Sequence, residues 1–402
     1  MAEGGLKGFF ETFIKKESIF ANKKALQSGY LPEEIVHRDK QLNTIANILA
    51  PALKIEKPSN LFIYGKTGTG KTLIIKYVAR QIREVTADKD IPLHITYLNC
   101  KLKRVADTEY RLIAQLTREF GKEIPPTGLP TDEVYKIFCN AIDSRRQIVI
   151  VVLDEIDQLV KKAGDDILYN LTRINDELTQ AQITLVGISN DLVFADSLDP
   201  RVKSSLSEEE IIFPPYNALQ IQNILKRRSR MAFKAEVIGP GVIEKCAAYA
   251  AREHGDARRA LELLRVAGEI AEREGTRAVT IEHLDKSEEK IEKDRLIEAV
   301  IGQPKQVQAT LFSMLSMNLK KGQSIFTSEV YGSYRDICTQ VGLRPLTQRR
   351  IGDIVAELDM LGIINSRVIS KGRYGRTREI SLSIPEAMRP KLRQLVKDDL
   401  GL

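Results

Sequence analysis

Short apolar runs alternate with longer amphipathic stretches between residues 59 and 213. The runs of strand length are Leu61–Tyr64, Ile95–Leu98, Ile148–Leu153, Ile183–Val186 and Ile211–Phe213. An unbroken apolar run suits a strand that is covered on both faces, and helical segments between such strands suit parallel crossovers. The pattern therefore predicts an α/β domain with a mainly parallel sheet.

Helical spacing replaces the strand pattern after Phe213. Pro214 and Pro215 break the last strand, and Asn217 is a suitable helix cap. Apolar residues then recur at helical spacing: Ile221, Ile224, Leu225, Val242, Ile243, Cys246, Ala247, Ala257, Ala260, Leu261 and Leu264. The spacing predicts a small helical domain that extends to about residue 292.

The pattern changes again after a charged connector at residues 286–295, which we expect to be helical. A first helix is indicated by Val330, Tyr334, Ile337, Cys338 and Val341, and a second by Ile351, Ile354, Val355, Leu358 and Leu361. A turn at residues 342–345 separates them, and two alternating segments then flank a basic run at residues 371–376. Two helices followed by a hairpin with a basic tip outline a winged helix.

The length of 402 residues suits two or three domains. We place an N-terminal segment at residues 1–18, the α/β domain at 19–213, the helical domain at 214–292 and the winged helix at 293–402. Hydrophobic residues make up 43% of the chain and charged residues 29%, which is typical of a folded protein.

Several classes of protein are excluded by what the sequence lacks. No apolar run approaches the length of a membrane span, and the first 20 residues lack the apolar core of a signal peptide. Cys100, Cys139, Cys246 and Cys338 are far apart, so we expect buried thiols rather than disulfides or a zinc site. These features predict a cytoplasmic protein with no membrane partner.

A complete phosphate-loop motif follows the first predicted strand. Its residues are Gly65, Lys66, Thr67, Gly68, Thr69, Gly70, Lys71 and Thr72. Glycines let backbone N–H groups approach the phosphates at the N-terminus of the next helix. Lys71 is expected to reach the β- and γ-phosphates, and Thr72 to offer its hydroxyl to Mg²⁺.

Two carboxylates end the strand Ile148–Leu153. Asp154 is expected to reach the magnesium shell, because ligands bind at the carboxyl edge of such sheets. Glu155 is then the candidate base that polarises the attacking water. Read alone, the acidic residues could be a solvated strand end, but with the phosphate loop they predict a nucleoside triphosphatase of the strand-Asp-Glu type.

Three further residues become candidates for a role in nucleotide hydrolysis once that site is identified. Asn190 follows the strand Ile183–Val186 and could orient the water, although an asparagine there is also an ordinary turn residue. Arg258 begins a helix of the small domain, from which a cation could fold onto the γ-phosphate. Arg201 could serve a neighbouring subunit as an arginine finger, and the alternative is an ordinary surface arginine.

Taken together, these motifs resemble the AAA+ ATPases, and their order narrows the resemblance. It includes the phosphate loop, Asp154 to Asp157, Ser189 with Asn190, the run from Leu198 to Leu206, the run from Phe213 to Tyr216, and residues 255–260, followed by a winged helix. This set is similar to the archaeal replication-initiator family, relatives of the origin recognition complex and of the cell-division-control helicase loader. The resemblance spans about residues 10–395.

The resemblance implies a fold and a set of functional residues. It implies ATP and Mg²⁺ held between an α/β AAA+ domain with a P-loop parallel sheet and a small helical lid domain, with a C-terminal winged-helix domain beyond. Asn190 would be sensor one and Arg258 sensor two, and Val36, His37 and Arg38 would cover the adenine. A helical insertion near residues 101–111 would touch DNA, for which the candidates are Lys103, Arg104 and Arg111; a solvated basic face is the alternative.

One departure from the family bears on turnover. Some eukaryotic relatives carry a second arginine where this chain has Leu206. Its replacement here argues against hydrolysis triggered by a neighbour and favours slow ATP hydrolysis that acts as a switch.

The net charge of +7 is concentrated in the C-terminal domain. Residues 303–382 contain 12 Lys and Arg against 6 Asp and Glu, an excess of +6. The second helix begins with Thr347, Gln348, Arg349 and Arg350, which would face a major groove. The hairpin adds Lys371, Arg373, Tyr374, Arg376 and Arg378, which suit the adjacent minor groove.

These observations lead to one hypothesis and two rivals. The leading hypothesis is an ATP-dependent DNA replication initiator that binds double-stranded origin DNA in the nucleoid and helps to load the replicative helicase, with homologous initiator subunits as further partners. The first rival is a nucleotide-gated transcription regulator that uses the same winged helix. The second, a clamp-loader-like or remodelling ATPase, leaves the basic hairpin unexplained.

Overall fold

The structure of the chain is a computed structural model. It describes Phe10 and residues 17–101, 108–125, 127–206, 208–253, 255–317, 324–370 and 376–402, with the backbone alone at 195, 370, 376 and 387. Residue contacts divide the chain into two compact units: the first ends at Leu284 and the second spans Asp285–Leu402. No helix in these described ranges has the length and apolar character to cross a membrane.

A parallel sheet forms the centre of the first unit. Its strands are β1 (Leu61–Tyr64), β2 (Leu93–Asn99), β3 (Gln147–Asp154), β4 (Ala181–Ser189) and β5 (Glu209–Ile212). They lie in the order β2-β3-β4-β1-β5, and all the pairings are parallel. Because β1 lies between β4 and β5, the chain that leaves β1 must cross the sheet before it returns as β2. The carboxyl ends of β1, β3 and β4 therefore meet at one edge.

Helices cover both faces of this sheet. They are α1 (Asp39–Leu49), α2 (Lys71–Lys89), α3 (Glu109–Glu119), α4 (Thr131–Ile142), α5 (Ile156–Ala163), α6 (Asp166–Arg173) and α7 (Pro200–Leu206). Alternate residues of β3 enter two cores: Val149, Val151 and Leu153 pack with α3 to α6, while Ile148, Ile150 and Val152 pack with α1 and α2. Burial on both faces explains why β3 is apolar along its length.

Three further helices complete the first unit, and a fourth continues from it into the second. They are α8 (Ala218–Ala232), α9 (Val242–Arg252), α10 (Ala257–Glu274) and α11 (Ile281–Ile301). Asn217 caps α8 in a capping box with Gln220, and the side chain of Asp256 caps α10 by accepting from the N–H groups of Arg258 and Arg259. These caps satisfy backbone donors that have no partner within the helix.

The segment at residues 17–34, which we call the strap, packs on these helices. The ring of Phe20 stacks on Phe233 with the ring centroids 4.7 Å apart. The backbone N–H groups of Ala21 and Asn22 donate to the carbonyl of Ala232 at 2.8 and 3.1 Å. The sequence-based boundary at residue 19 assigns most of the strap to the α/β domain, whereas its contacts in the structure are with the helical layer.

The second unit is built around a short antiparallel sheet. It contains the end of α11, α12 (Lys305–Ser316), α13 (Thr327–Gln340), α14 (Gln348–Met360) and α15 (Arg389–Leu400), with strands β6 (Ile325–Phe326), β7 (Ile364–Ser370) and β8 (Arg376–Leu382). The strand order is β6-β8-β7. The apolar residues of α13 and α14 pack with β7 and β8 in one core.

The predicted architecture is confirmed: a parallel P-loop sheet, a helical layer and a C-terminal winged helix follow in that order. The pattern did not reveal β6 or α15. Strand β6 has two residues, too few for a period, and α15 has few apolar positions for its length. The connector at 286–295 lies within α11, and the proposed boundary at 292 remains a prediction.

Candidate nucleotide-binding site

The phosphate loop joins β1 to α2, and the helical layer closes against it. At Gly68, where φ is +69°, a Cβ atom would lie 1.7 Å from Oδ1 of Asp256. The N–H of Ala257 donates to the carbonyl of Gly68 at 3.3 Å. Gly68 therefore permits both the left-handed backbone conformation and the close approach of α10. The loop and the N-terminus of α10 meet directly.

Lys71 lies buried at the first turn of α2. Its Nζ donates to the carbonyl oxygens of Gly65 at 2.6 Å and Lys66 at 2.8 Å, and to Oδ1 of Asn190 at 2.9 Å. Burial, and then the nearby charge of Arg258, lower the pKa of Lys71 to about 8. A partly desolvated ammonium held this way interacts strongly with phosphate oxygens because little water screens it.

The carboxylate of Asp154, the last residue of β3, is held by two hydroxyl donors. Oδ2 of Asp154 accepts from the hydroxyl of Thr72 at 2.8 Å and from the phenol of Tyr97. Burial and the bond to Asp154 raise the pKa of Tyr97 well above its ordinary value, so the phenol remains a donor. Thr72 and Asp154 are thus adjacent, as a shared cation requires.

Glu155 is set apart from Asp154 by its backbone. Its φ of +57° lies in the left-handed region, and its N–H donates to Oδ1 of Asp154 at 3.0 Å. The carboxylate of Glu155 accepts from the amide of Asn99 at 3.5 Å and lies 3.8 Å from Nζ of Lys101. The strained backbone turns Glu155 away from the strand direction, which leaves its carboxylate in a polar environment.

A buried pair of polar groups supports the end of β4. The hydroxyl of Ser189 donates to Oδ1 of Asp157 at 3.1 Å, and the N–H of Asp191 donates back to Ser189 at 3.0 Å. Asn190 lies between these residues and its side chain faces Lys71. Asn190 is therefore positioned beside the phosphate loop.

A cavity of about 520 Å³ opens beside the phosphate loop. Its walls come from the loop, the strap and the residues after it, α2, α8 and α10, and they include Val36, Gly68, Tyr216, Ile224 and Arg258. Arg258 is exposed on the first turn of α10. The apolar part of the cavity thus lies next to a loop that offers N–H donors and cations.

The three residues expected to cover an adenine are placed differently from one another. Val36 lines the cavity. His37 has a φ of +61°, and Arg38 is buried, with Nε donating to the carbonyl of Thr69 at 3.0 Å and the guanidinium stacked 3.8 Å above the ring of Tyr216. Arg38 therefore braces the phosphate loop against the segment after β5.

Arg201 lies at the start of α7 and does not line this cavity. Its guanidinium binds the carboxylate of Asp199 through two contacts of 3.1 Å and lies 5.3 Å from the ring centroid of Tyr169. The side chain is 72% exposed. An action of Arg201 on a neighbouring subunit remains a prediction.

The candidate DNA residues of the winged helix lie at the start of α14 and on β8. Thr347 caps α14, and Gln348, Arg349 and Arg350 are exposed on its first turn. Arg350 pairs with Asp353 and Glu357 at 3.5 Å, and Arg378 donates to the hydroxyl of Ser366 at 3.3 Å.

Other candidate DNA residues fall outside the described part of the chain. These are Lys103, Arg104, Lys371, Arg373 and Tyr374, together with the side chain of Arg376. Arg111 is described, and it lies in the first turn of α3.

Sequence reasoning did not assign three residues that shape the site. Tyr97 binds Asp154, Tyr216 lies under Arg38, and Asp256 meets Gly68. A signal existed for Tyr97, because it lies in the run Ile95–Leu98, which was predicted to be a strand of the same sheet. The other two contacts depend on how the helical layer closes, which a one-dimensional pattern does not show.

The residues at this edge of the sheet fit a nucleoside triphosphate and its magnesium ion. The glycines leave space for phosphates against backbone N–H groups, and Lys71 and Arg258 supply positive charge. Thr72 and Asp154 supply the oxygen ligands that Mg²⁺ prefers.

Comparisons with known proteins match the whole length of this arrangement. An AAA domain model matches residues 55–193, a Cdc6 AAA+ ATPase-type lid domain matches 222–289, and a CDC6 C-terminal winged helix domain matches 298–389. The ORC1-type DNA replication protein 1 of Methanosarcina mazei is 53% identical over 382 residues, which cover 94% of this chain and 91% of that protein. The chain belongs to the family of ORC1-type DNA replication proteins.

Other ORC1-type proteins agree with this assignment. The ORC1-type DNA replication protein of Pyrococcus horikoshii is 52% identical over 383 residues, 94% of this chain and 91% of that protein. The structure of the Aeropyrum pernix ORC1 protein in complex with DNA has a TM-score of 0.84 at 43% identity and covers 96% of this chain and 98% of its own. As an ORC1-type protein, the chain is an AAA+ ATPase of DNA replication initiation.

Proposed function

We propose that this ORC1-type protein binds double-stranded origin DNA through its winged helix while it holds ATP, and that slow hydrolysis of ATP ends that state. The observation that carries the nucleotide half is the cluster of Lys71, Thr72 and Asp154 at the sheet edge, closed by the N-terminus of α10. The DNA half is supported by the exposed basic start of α14 and by the relative from Aeropyrum pernix, whose structure is a complex with DNA.

Each residue of the nucleotide site has a distinct task in this proposal. Thr72 and Asp154 hold Mg²⁺, which neutralises charge on the phosphates when it is bound. Lys71 and Arg258 stabilise the charge that develops on the γ-phosphate. Glu155 accepts the proton of the attacking water, and Asn190 orients that water.

The contact between α10 and the phosphate loop couples hydrolysis to conformation. Arg258 lies in the first turn of α10, and Asp256 and Ala257 contact Gly68. A change at the γ-phosphate would therefore alter the position of the helical layer. A ligand shifts such an equilibrium by its differential affinity for the two arrangements. ATP and ADP would therefore favour different positions of α10.

The partners of the protein follow from the same proposal. When bound to DNA in the nucleoid, the protein would help to load the replicative helicase. Homologous initiator subunits would take part in this step. Support for this step comes from membership of the ORC1-type family.

The ATPase assignment is tested by Glu155→Gln. The amide keeps the size of the side chain but cannot accept a proton, so turnover should fall about 100-fold or more. The dissociation constant for ATP should change by less than about twofold, since Glu155 does not touch the phosphate-binding residues. Steady-state phosphate release and binding of a fluorescent ATP analogue measure the two quantities. Undiminished turnover would show that another group is the base.

The DNA assignment is tested by competition between an origin fragment, a promoter fragment and random DNA, with and without ATP. We expect ATP-dependent preference for the origin. Arg349→Ala should weaken origin binding by about 10- to 100-fold, because an arginine on a recognition helix contributes about 1–3 kcal/mol of discrimination. Lys391→Ala, an exposed residue on α15, is the matched control. Equal affinity for all three DNAs at physiological salt would contradict the hypothesis of a replication initiator. Preference for the promoter fragment would favour the hypothesis of a transcription regulator.

A further inference from the structure

The strap changes its packing partners at the edge of the nucleotide cavity. Before Ile35 the strap forms ion pairs with the helical layer: Lys23 binds Glu269 at 2.8 Å, and Arg227 binds Glu34 at 2.6 Å. From Ile35 onward the chain packs on the core beneath the sheet, and Arg38 binds the phosphate loop. The helical layer and the α/β domain are thus joined by the strap as well as by the segment after β5.

The residues at this change of partner form one wall of the cavity. Leu31, Pro32, Ile35 and Val36 all line it, and we call residues 31–36 the cavity wall. The wall continues into His37, whose φ of +61° marks a sharp change in chain direction. Its position relative to α8 therefore decides the width of the cavity.

Arg228 of α8 holds the strap at the residue before this wall. Its Nη2 donates to the carbonyl oxygen of Tyr30 at 3.3 Å, and its guanidinium carbon lies 4.6 Å from the centroid of the Tyr30 ring. The side chain is 7% exposed, and it also borders the cavity. One buried guanidinium thus contacts both the ring and the backbone carbonyl of Tyr30.

The burial of Arg228 has a cost that the contact with Tyr30 offsets in part. Its Nη1 is buried and has no hydrogen-bond partner among the described residues. A buried donor without a partner destabilises the folded state. Burial lowers the pKa of Arg228, and the ring of Tyr30 faces the cation. The contacts of Arg228 with Tyr30 therefore join α8 to the strap at the border of the cavity.

We propose that Arg228 is a positioning residue of the nucleotide site, which fixes the cavity wall to α8 through Tyr30 and thereby sets the affinity for the nucleoside part of ATP and ADP. This inference rests on the proposed function of the cavity. Because Arg228 acts on the wall and not on the phosphate-binding residues, it affects ATP and ADP equally.

An arginine is required for this arrangement. A planar guanidinium can stack on an aromatic ring and donate sideways to a carbonyl oxygen at the same time, whereas an ammonium is a compact and more strongly hydrated charge. Arg228→Lys should therefore restore little of what Arg228→Ala loses. On the other side of the contact, Tyr30→Phe keeps the ring and the backbone carbonyl, so its nucleotide affinity should equal that of wild type. Tyr30→Ala removes the ring, so its nucleotide affinity should fall.

The test measures nucleotide dissociation constants, KM and kcat for the full-length protein. Arg228→Ala and Tyr30→Ala should each weaken ATP and ADP binding about 5- to 30-fold, with kcat changed by less than about twofold. The double variant should lose no more than the larger single loss, because both substitutions break one contact. Lys226→Ala, an exposed residue of α8 that pairs with Glu244, is the charge-matched control and should bind nucleotide normally.

The outcomes separate this inference from the proposed function. If wild-type protein binds ATP and Lys71→Ala abolishes binding, the site is where we place it. In that case, unchanged affinity in Tyr30→Ala, additive losses in the double variant, or a fall in kcat with unchanged KM would each overturn the role of Arg228. If Lys71→Ala binds ATP normally, the proposed nucleotide site itself is wrong. A thermal melt of Tyr30→Ala that matches wild type shows that its lost affinity is not unfolding.

Discussion

At the scale of single residues, the site is defined by a few groups held in unfavourable surroundings. Lys71 is buried, and Glu155 has a left-handed backbone. Each is stabilised by neighbours that sequence reasoning identified in part: Asn190 binds Lys71, and Asp154 accepts from the N–H of Glu155. Strain concentrated beside a phosphate loop is the pattern expected of a functional site.

The lowered pKa of Lys71 predicts how nucleotide affinity depends on pH. Phosphate binds the protonated amine, so the bound nucleotide raises a pKa that is about 8 in its absence. Affinity should therefore be level below pH 8 and fall by up to about tenfold per pH unit above it. Calorimetry in buffers of different ionisation enthalpy should detect uptake of about one proton per ATP above pH 8. No proton uptake there would contradict the assignment, since the phosphates are already fully ionised.

At the scale of elements, Asp143 ties α4 to the turn before β4. Its carboxylate accepts from the N–H groups of Thr179, Gln180 and Ala181, at 2.7 Å for the last two, and from the hydroxyl of Thr179 at 2.8 Å. This turn sets the start of β4, the strand that Asn190 follows. A distant cap thereby helps to fix the register of the site.

Asp143→Asn should lower the free energy of unfolding by about 1 kcal/mol at pH 7, after allowance for solvent screening. Partial burial raises the pKa of Asp143, but the backbone donors outweigh this and lower it to about 2. Its contribution is therefore present above about pH 4 and is lost as the pH falls towards 2, so wild type and variant should converge there. Urea unfolding at several pH values measures this.

The matched control for Asp143→Asn is Asp88→Asn, an exposed carboxylate on α2. It should change the free energy of unfolding by less than about 0.5 kcal/mol at every pH. If the difference in the free energy of unfolding between wild type and Asp143→Asn stayed constant from pH 7 to pH 2, the carboxylate would not be stabilised by its donors.

At the scale of the whole molecule, the two units differ in net charge and in the number of buried thiols. The excess of +6 within residues 303–382 leaves the rest of the chain close to neutral. Three buried thiols, Cys100, Cys139 and Cys246, lie in the first unit, and Cys338 lies in the core of the second. The basic excess thus lies within the second unit, and the rest of the chain is close to neutral.

The buried thiols predict an all-or-none labelling pattern. Burial raises the pKa of Cys100 and Cys246 to about 12 and that of Cys139 to about 11, so little thiolate exists at pH 8. A thiol reagent should therefore label none of the four cysteines of the native chain within minutes and all four in strong denaturant. Absorbance of the released thiolate counts them. Rapid labelling of one cysteine in the native state would show that its core opens.

The sequence was sufficient to predict the sheet, the helical layer and the winged helix, because each depends on a period that local residues carry. The buried strand β3 is apolar on both faces, and α14 carries its stripe of Ile351, Ile354, Val355 and Leu358. The phosphate loop could also be predicted from the sequence, because its chemistry requires glycines and a lysine within one short run.

Tertiary structure alone decided which distant residues complete the site. The contact of Asp256 with Gly68, the burial of Arg38 beneath the loop, and the grip of Arg228 on Tyr30 each join segments far apart in the chain. Such contacts depend on how the helical layer and the strap pack, and packing depends on shape rather than on period. The sequence therefore determined the chemistry of the phosphate loop, and the fold determined which other residues line the cavity beside it.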